Sequence, residues 1–246
     1  MRIGLLYPTR DCGEDDFAAL CRRLDPAPDL DFAYVEWDPD AASQTAAARA
    51  LGTPARLTAA ADRLPATPDV VSWACSSCSF THGLDGARDQ ARVLTGHLGV
   101  PASSTSLAYL AALGRLAADR VALASVYHPD LTAAFAGFLA EAGVTTVHAV
   151  SADAGSDRAL AAWDGQRITE LAVAADHEDA DAVLVPETAL HTTPLLAALE
   201  ERLGKPVLTA TAVTVWDAAG ATPVQEGLGT LFSAGPGRRP PSSFAS

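Results

Sequence analysis

Cys75 closes an apolar run, Val70-Val71-Ser72-Trp73-Ala74, and is followed at once by Ser76-Ser77-Cys78-Ser79-Phe80. A thiol where a buried strand gives way to a hydroxyl-rich turn is well placed for chemistry. The strand fixes the sulfur, the turn offers N–H groups and hydroxyls, and a helix starting there lowers the thiol pKa through its positive end. As a thiolate such a sulfur adds to an activated double bond, and as a thiol it delivers a proton to one face of a carbanion. The bland alternative is an inert buried cysteine. Later in the chain, Asp181-Ala182-Val183-Leu184-Val185-Pro186 runs into Glu187-Thr188, with a carboxylate at the matching place. A free glutamate titrates near about 4.3 and is a base or a fixed charge at neutral pH. Burial next to Pro186 would raise that value and make Glu187 a proton donor. Otherwise it binds a cationic group, or its wall has left catalysis.

Charge that develops on a carboxylate during such chemistry must be held by fixed donors. Ser76, Ser77 and Thr188 at the two turns, with Tyr127 from the second half, are the candidates. Turn hydroxyls also cap helices, a reading that fits Ser79 and Thr81 as well. Arg10, after the first strand, either pairs a substrate carboxylate bidentately or is a solvated loop residue. His128 and His191 follow strand ends and either line the cleft or hydrogen-bond structurally, while Trp216 reads as packing. Cys75-x-x-Cys78 has the spacing of a redox pair, and Cys12 and Cys21 would complete a four-thiolate zinc site. They lack the close pairing of structural zinc ligands, and Cys21 reads as core.

These residues need elements to carry them. Strand-like runs at 2–7, 31–35, 70–75, 120–125, 145–149, 182–185 and 207–209 alternate with helical stretches at 14–24, 41–51, one ending near Arg63, 86–98, 106–116, 130–142, 156–163, 168–175, 193–203 and 212–219. Gly99 and Gly204 each precede a proline by two residues, a helix-stop signal. The pattern predicts an α/β protein with parallel sheets flanked by helices. The halves also match: Ile3-Gly4-Leu5-Leu6-Tyr7 with residues 121–127, 69–76 with 180–188, and Leu98-Gly99-Val100-Pro101 with Leu203-Gly204-Lys205-Pro206. Landmarks repeated in order predict a duplication. Two pseudo-symmetric lobes, each with a central parallel sheet, would face each other across a cleft at the carboxyl ends of their strands. The expected division is 1–108 and 109–211, with a helix at 212–226 completing the first lobe and 227–246 a flexible tail.

With 246 residues, 49% hydrophobic and 19% charged, the composition is that of a globular protein with a proper core. No apolar run approaches the roughly 20 residues that span a bilayer, and the first residues soon meet Pro8, Arg10 and Asp11, unlike a signal peptide. Four cysteines in that context read as reduced thiols of a cytoplasmic protein. A net charge of -13 argues against nucleic acid or a membrane as partner. A small carboxylate substrate stays compatible, because local groups set the field inside a cleft, and homo-oligomerisation stays open.

Gly4-Leu5-Leu6-Tyr7-Pro8, the Cys75-Ser76-Ser77-Cys78-Ser79-Phe80-x-x-Gly83 turn, residues 121–127, Pro186-Glu187-Thr188 and Leu203-Gly204-Lys205-Pro206-Val207 leading to Val215-Trp216-Asp217-Ala218 resemble the aspartate/glutamate racemase superfamily. Within it they resemble the branch of maleate cis-trans isomerases and arylmalonate decarboxylases. The resemblance, up to about Gly220, implies a pseudo-symmetric fold without cofactor or metal, acting on the carbon next to a carboxylate. Racemases and maleate isomerases carry a cysteine in each half; arylmalonate decarboxylases keep the second and have glycine at the first. This chain keeps the first, Cys75, and has Glu187 at the second. The asparagine that isomerases use after the first strand is replaced by Arg10-Asp11, and the chain has no asparagine at all. The expectation is a cofactor-independent isomerase or racemase-type enzyme using Cys75. Its competitors are a malonate-type decarboxylase with Cys75 as proton donor and a non-catalytic small-acid-binding homologue.

Overall fold

The computed structural model describes residues 1–35, 43–220 and 227–233. The first half runs β1 (Arg2–Tyr7), α1 (Glu14–Cys21), β2 (Asp29–Tyr34), α2 (Gln44–Leu51), α3 (Pro54–Ala61), β3 (Val70–Trp73), α4 (Ser77–Phe80), α5 (Gly83–Leu98) and β4 (Ala102–Ser104). Helix α6 (Thr105–Leu116) leads to β5 (Arg120–Ser125), α7 (Pro129–Glu141), β6 (Thr145–Ser151), α8 (Asp157–Ala161), α9 (Gly165–Ala175) and β7 (Ala182–Val185). A 3-10 turn at Thr193–Leu195 then opens α10 (Leu196–Leu203), followed by β8 (Val207–Thr209), α11 (Ala210–Ala219) and α12 (Thr230–Ser233). All strands pair in parallel, in the orders β2-β1-β3-β4 and β6-β5-β7-β8. The two orders are the same order, so the repeated landmarks are a duplicated α/β fold.

Parallel strands buried on both faces explain the near-continuous apolar text of β1, β3, β5 and β7. Strand β3 stops at Trp73, so Cys75 lies beyond the strand and not on it as expected. Strand β4 was not expected: Ala102-Ser103-Ser104 has little β propensity, and pairing to β3 makes it a strand. The expected stretch at 193–203 is a 3-10 turn plus a helix, and α4 interrupts the run into α5. Residues 108 and 109 fall inside the unbroken helix α6.

One apolar cluster runs through both halves, joining Ile3, Leu5 and Phe17 to Phe135, Leu184 and Val213. Phe80 of the first half lies 4.9 Å from Phe135 of the second, ring centre to ring centre. Helix α11 packs back on α1, β3 and β4 and lies along α6, where Thr105 and Thr214 hydroxyls meet at 2.7 Å. It ends at Ala219 with Gly220 at φ 72°, while 221–226 lie outside the described residues. The start of the expected tail is docked, not free. Leu228, Leu231 and Phe232 are buried, and the Glu200 carboxylate accepts from Thr230 N at 2.7 Å and its hydroxyl at 2.8 Å. Burying a leucine pair and a phenylalanine outweighs the polar composition around them. The rest of that stretch, 234–246, lies outside the described residues. No helix among the described residues is long and apolar enough to cross a membrane.

Candidate active site

Cys75 follows the last residue of β3 by two positions, 75 against 73, and Glu187 follows the last residue of β7 by two, 187 against 185. Each is turned by the same tight backbone bond: Cys75 N–H donates to the Trp73 carbonyl at 2.9 Å, and Glu187 N–H to that of Val185 at 3.0 Å. The duplication therefore gives a sulfur and a carboxyl equivalent positions at the carboxyl ends of equivalent strands. Ligands bind there in open parallel sheets, where the strand order reverses direction.

Ser76 and Tyr127 connect the two walls. Ser76 is 2% exposed; its Oγ faces the Tyr127 phenol yet makes no proper hydrogen bond with any protein group. The Tyr127 hydroxyl donates to the Pro186 carbonyl and also lies against the Glu187 carboxylate. Glu187 is 6% exposed and accepts from Ala189 N at 2.8 Å and from the Thr188 backbone N–H. Burial, first, and the neighbouring Asp157 carboxylate, second, raise its pKa to about 8 against the pull of those donors. Burial thus favours the neutral acid form of Glu187. Burial also holds the phenols of Tyr7, Tyr109 and Tyr127 well above their ordinary value, so all three are neutral donors.

Asp157, at the start of α8, escaped the sequence reading. It accepts a hydrogen bond from Thr9 Oγ1, which ties the loop after β1 to the second half. Burial raises its pKa as well. A second cross-tie is Tyr7, whose hydroxyl donates to the Thr188 carbonyl at 3.1 Å.

Residues 54–232 match the family model described as arylmalonate decarboxylase. The arylmalonate decarboxylase of Bordetella bronchiseptica is 31% identical over 169 residues, 66% of this chain and 70% of that protein. The chain belongs to the arylmalonate decarboxylase family. Among solved structures, a variant of arylmalonate decarboxylase with a glycine changed to cysteine and a cysteine to serine, in the liganded form, superposes with TM-score 0.81 at 25% identity. It covers 94% of this chain and 98% of its own. The maleate isomerase of Pseudomonas putida with maleate gives TM-score 0.83 at 20% identity, over 95% and 98% of the two chains. The maleate cis-trans isomerase of Nocardia farcinica, with a covalently bound succinylcysteine intermediate, gives 0.81 at 22% over 94% and 98%. The last two show a shared fold.

Within this family the chain's two walls differ in kind. Cys75, Ser76, Ser77, Tyr127, Glu187 and Thr188 gather at the strand ends, whereas Arg10 does not join them. Its guanidinium lies 3.7 Å above the Tyr34 ring, exposed, beside a cavity of about 520 Å³ lined by Cys12, Glu14, Tyr34 and His191. His191 pairs with Asp15 at 2.7 Å, and His128 Nδ1 caps α7 by accepting from Asp130 N. Ser79 is held by Gln90 and Ser104, at 2.8 and 2.9 Å, inside the fold. Trp216 packs against the core.

The cysteines depart from the expectation of four reduced thiols, because Cys75 and Cys78 are joined in a disulfide. Cys12 and Cys21 are free and buried, and burial pushes their thiols up to about 11 and about 12. Among the described residues no group of three or more His, Cys, Asp or Glu could hold a metal ion.

Proposed function

We propose that the reduced protein is a cofactor-independent enzyme that moves a proton at the carbon α to a carboxylate, with Cys75 serving one face and Glu187 the other. The buried Ser76 hydroxyl carries this reading: it lies against the Tyr127 phenol, between the sulfur and Glu187, without a well-formed protein hydrogen bond, and is a donor free to turn to an anion. With Ser76 and Ser77 on the substrate carboxylate, the Cys75 thiolate takes the α-proton. The charge passes into an enediolate, held further by Tyr127 once its hydroxyl turns from the Pro186 carbonyl. Glu187, protonated at neutral pH, then returns a proton to the opposite face. The reverse direction uses the Glu187 carboxylate and the Cys75 thiol. Thr188 acts through its N–H on Glu187, not on substrate.

The substrate is a small monocarboxylate. A dianion would meet the Asp157 carboxylate beside Glu187 on the second wall, with the guanidinium of Arg10 turned away to Tyr34. That argument ranks proton transfer above loss of CO₂ from a malonate. Decarboxylation with Cys75 as proton donor is the second reading, favoured by the family match and by the liganded relative in which a glycine has become a cysteine and a cysteine has been removed. A thiol that must stay reduced suits the cytoplasm. The deciding experiment is a panel of chiral hydroxy and amino acids, maleate and substituted malonates, incubated with reduced enzyme in D₂O and followed by NMR. Deuterium at the α-carbon of a monocarboxylate, without CO₂, supports proton transfer. CO₂ release from malonates alone would establish the second reading, and a panel without any reaction would sink both.

A further inference from the structure

The structure joins the sulfur that this mechanism uses to Cys78. We propose that Cys75 and Cys78 are a reversible redox site: the disulfide closes the enzyme down, and the dithiol is the active form. The inference rests on Cys75 being the reacting thiol. Cys78 follows Cys75 by three residues, one turn along, with Cα atoms 5.4 Å apart, inside the range a disulfide spans without backbone movement. The Cys78 side chain is fully buried in the apolar cluster that also holds Cys75, Val71, Trp73 and Leu94. Its backbone N–H points at Cys75 Sγ from 3.3 Å, and Ser77 Oγ lies 3.7 Å from that sulfur and 3.9 Å from Cys78 Sγ. Donors that favour a thiolate for catalysis also make it the sulfur that an oxidant attacks first. Cys12 and Cys21, kept protonated by burial, are poor competitors.

With a peroxide as oxidant the chemistry closes. The Cys75 thiolate attacks the O–O bond, giving a sulfenic acid and hydroxide, which leaves as water. Cys78 sulfur attacks the sulfenic sulfur, the S–S bond forms, and a second water carries off the oxygen and the Cys78 proton. Two thiols lose two electrons and the peroxide becomes two waters. An external dithiol reverses this through a mixed disulfide, regenerating both thiols and leaving as its own disulfide.

The test uses the whole chain, equilibrated in buffers from fully reduced to fully oxidised glutathione. Thiols are trapped by alkylation and located by mass spectrometry, and α-proton exchange activity is measured in parallel. We expect the peptide holding both cysteines to lose two alkylation sites together, with activity falling at least 100-fold over the same range and dithiothreitol restoring both. Cys78→Ala cannot form the internal bond, so in the oxidising buffers its Cys75 should carry one glutathione, seen as an added mass on that peptide, where wild type carries none. Unchanged thiol counts in the most oxidising buffer, or an oxidised form as active as the reduced one, would overturn the switch. If the alanine variant does not fold, the wild-type thiol counts and activities still decide. Cys75→Ser under reducing conditions separates the two readings. An active serine variant removes the catalytic role, whereas an inactive one beside a wild type that never forms the bond removes the switch and leaves the catalytic role standing.

Discussion

At the scale of single residues, burial does more than any neighbour to set the state of Glu187, and this fixes a pH dependence. The acid form exists below about 8 and is lost above it. In the direction that needs Glu187 to donate, turnover should hold up to neutrality and fall about tenfold per unit beyond pH 8, as a rate–pH profile would show. Asp157→Asn removes a neighbouring negative charge, so the falling limb should move to lower pH, by on the order of one unit. Stability follows the same proton. The folded value lies above the unfolded one, so the contribution is complete below about 4.3 and is lost as pH rises through about 8, at about 1.4 kcal/mol per unit. Urea unfolding at pH 5 and pH 8 should show that decline in wild type and a flatter response in Glu187→Gln. The equivalent positions of Cys75 and Glu187 after β3 and β7 were legible because the repeat placed one on the other. Asp157 was not: it opens a five-residue helix and reaches its partner Thr9 across 148 positions, with no local signal for either. Nor could a loop sequence show that Arg10 would settle on the Tyr34 ring.

At the scale of elements, the loop from Tyr7 to α1 is pressed against the second wall. A Cβ on Gly13 would lie 2.1 Å from the Thr188 carbonyl oxygen and 2.6 Å from the Tyr7 hydroxyl. Because φ there is -113°, the requirement is for space, not for a special backbone. Gly13→Ala should therefore displace the turn holding Glu187, costing about 1–3 kcal/mol by thermal unfolding and lowering kcat more than it changes KM. Asp16, the next acidic residue inward, shows why elements from different halves cohere: its buried carboxylate accepts from Thr192 N and Thr193 N, each at 3.0 Å. The paired strands were readable from apolar runs bounded by turns. Strand β4 and helix α4 were hidden, since serine-rich text is strand or helix only by virtue of what it packs on.

At the scale of the whole molecule, one apolar cluster spans both repeated sheets, so the halves should unfold together. Phe135 is fully buried between Phe80 and Tyr109. Phe135→Ala should cost about 3–5 kcal/mol, with a single unfolding transition seen by both circular dichroism and tryptophan fluorescence. The duplicated architecture was legible because each half repeats its landmarks in order. The docking of α12 was not, since three apolar residues in polar text look like a tail until their contacts are known. Duplication also gives the proposed pair its frame: equivalent positions in a repeated scaffold would let a thiol and a carboxyl approach one carbon from two sides. That opposition is most directly tested by α-proton exchange into D₂O, measured separately for each enantiomer of a turned-over monocarboxylate, in reduced Glu187→Gln. The account predicts that the variant exchanges the α-proton of one enantiomer through Cys75 while losing exchange of the other and interconversion of the two by at least 100-fold. Exchange and interconversion of both enantiomers at the wild-type rate would contradict it.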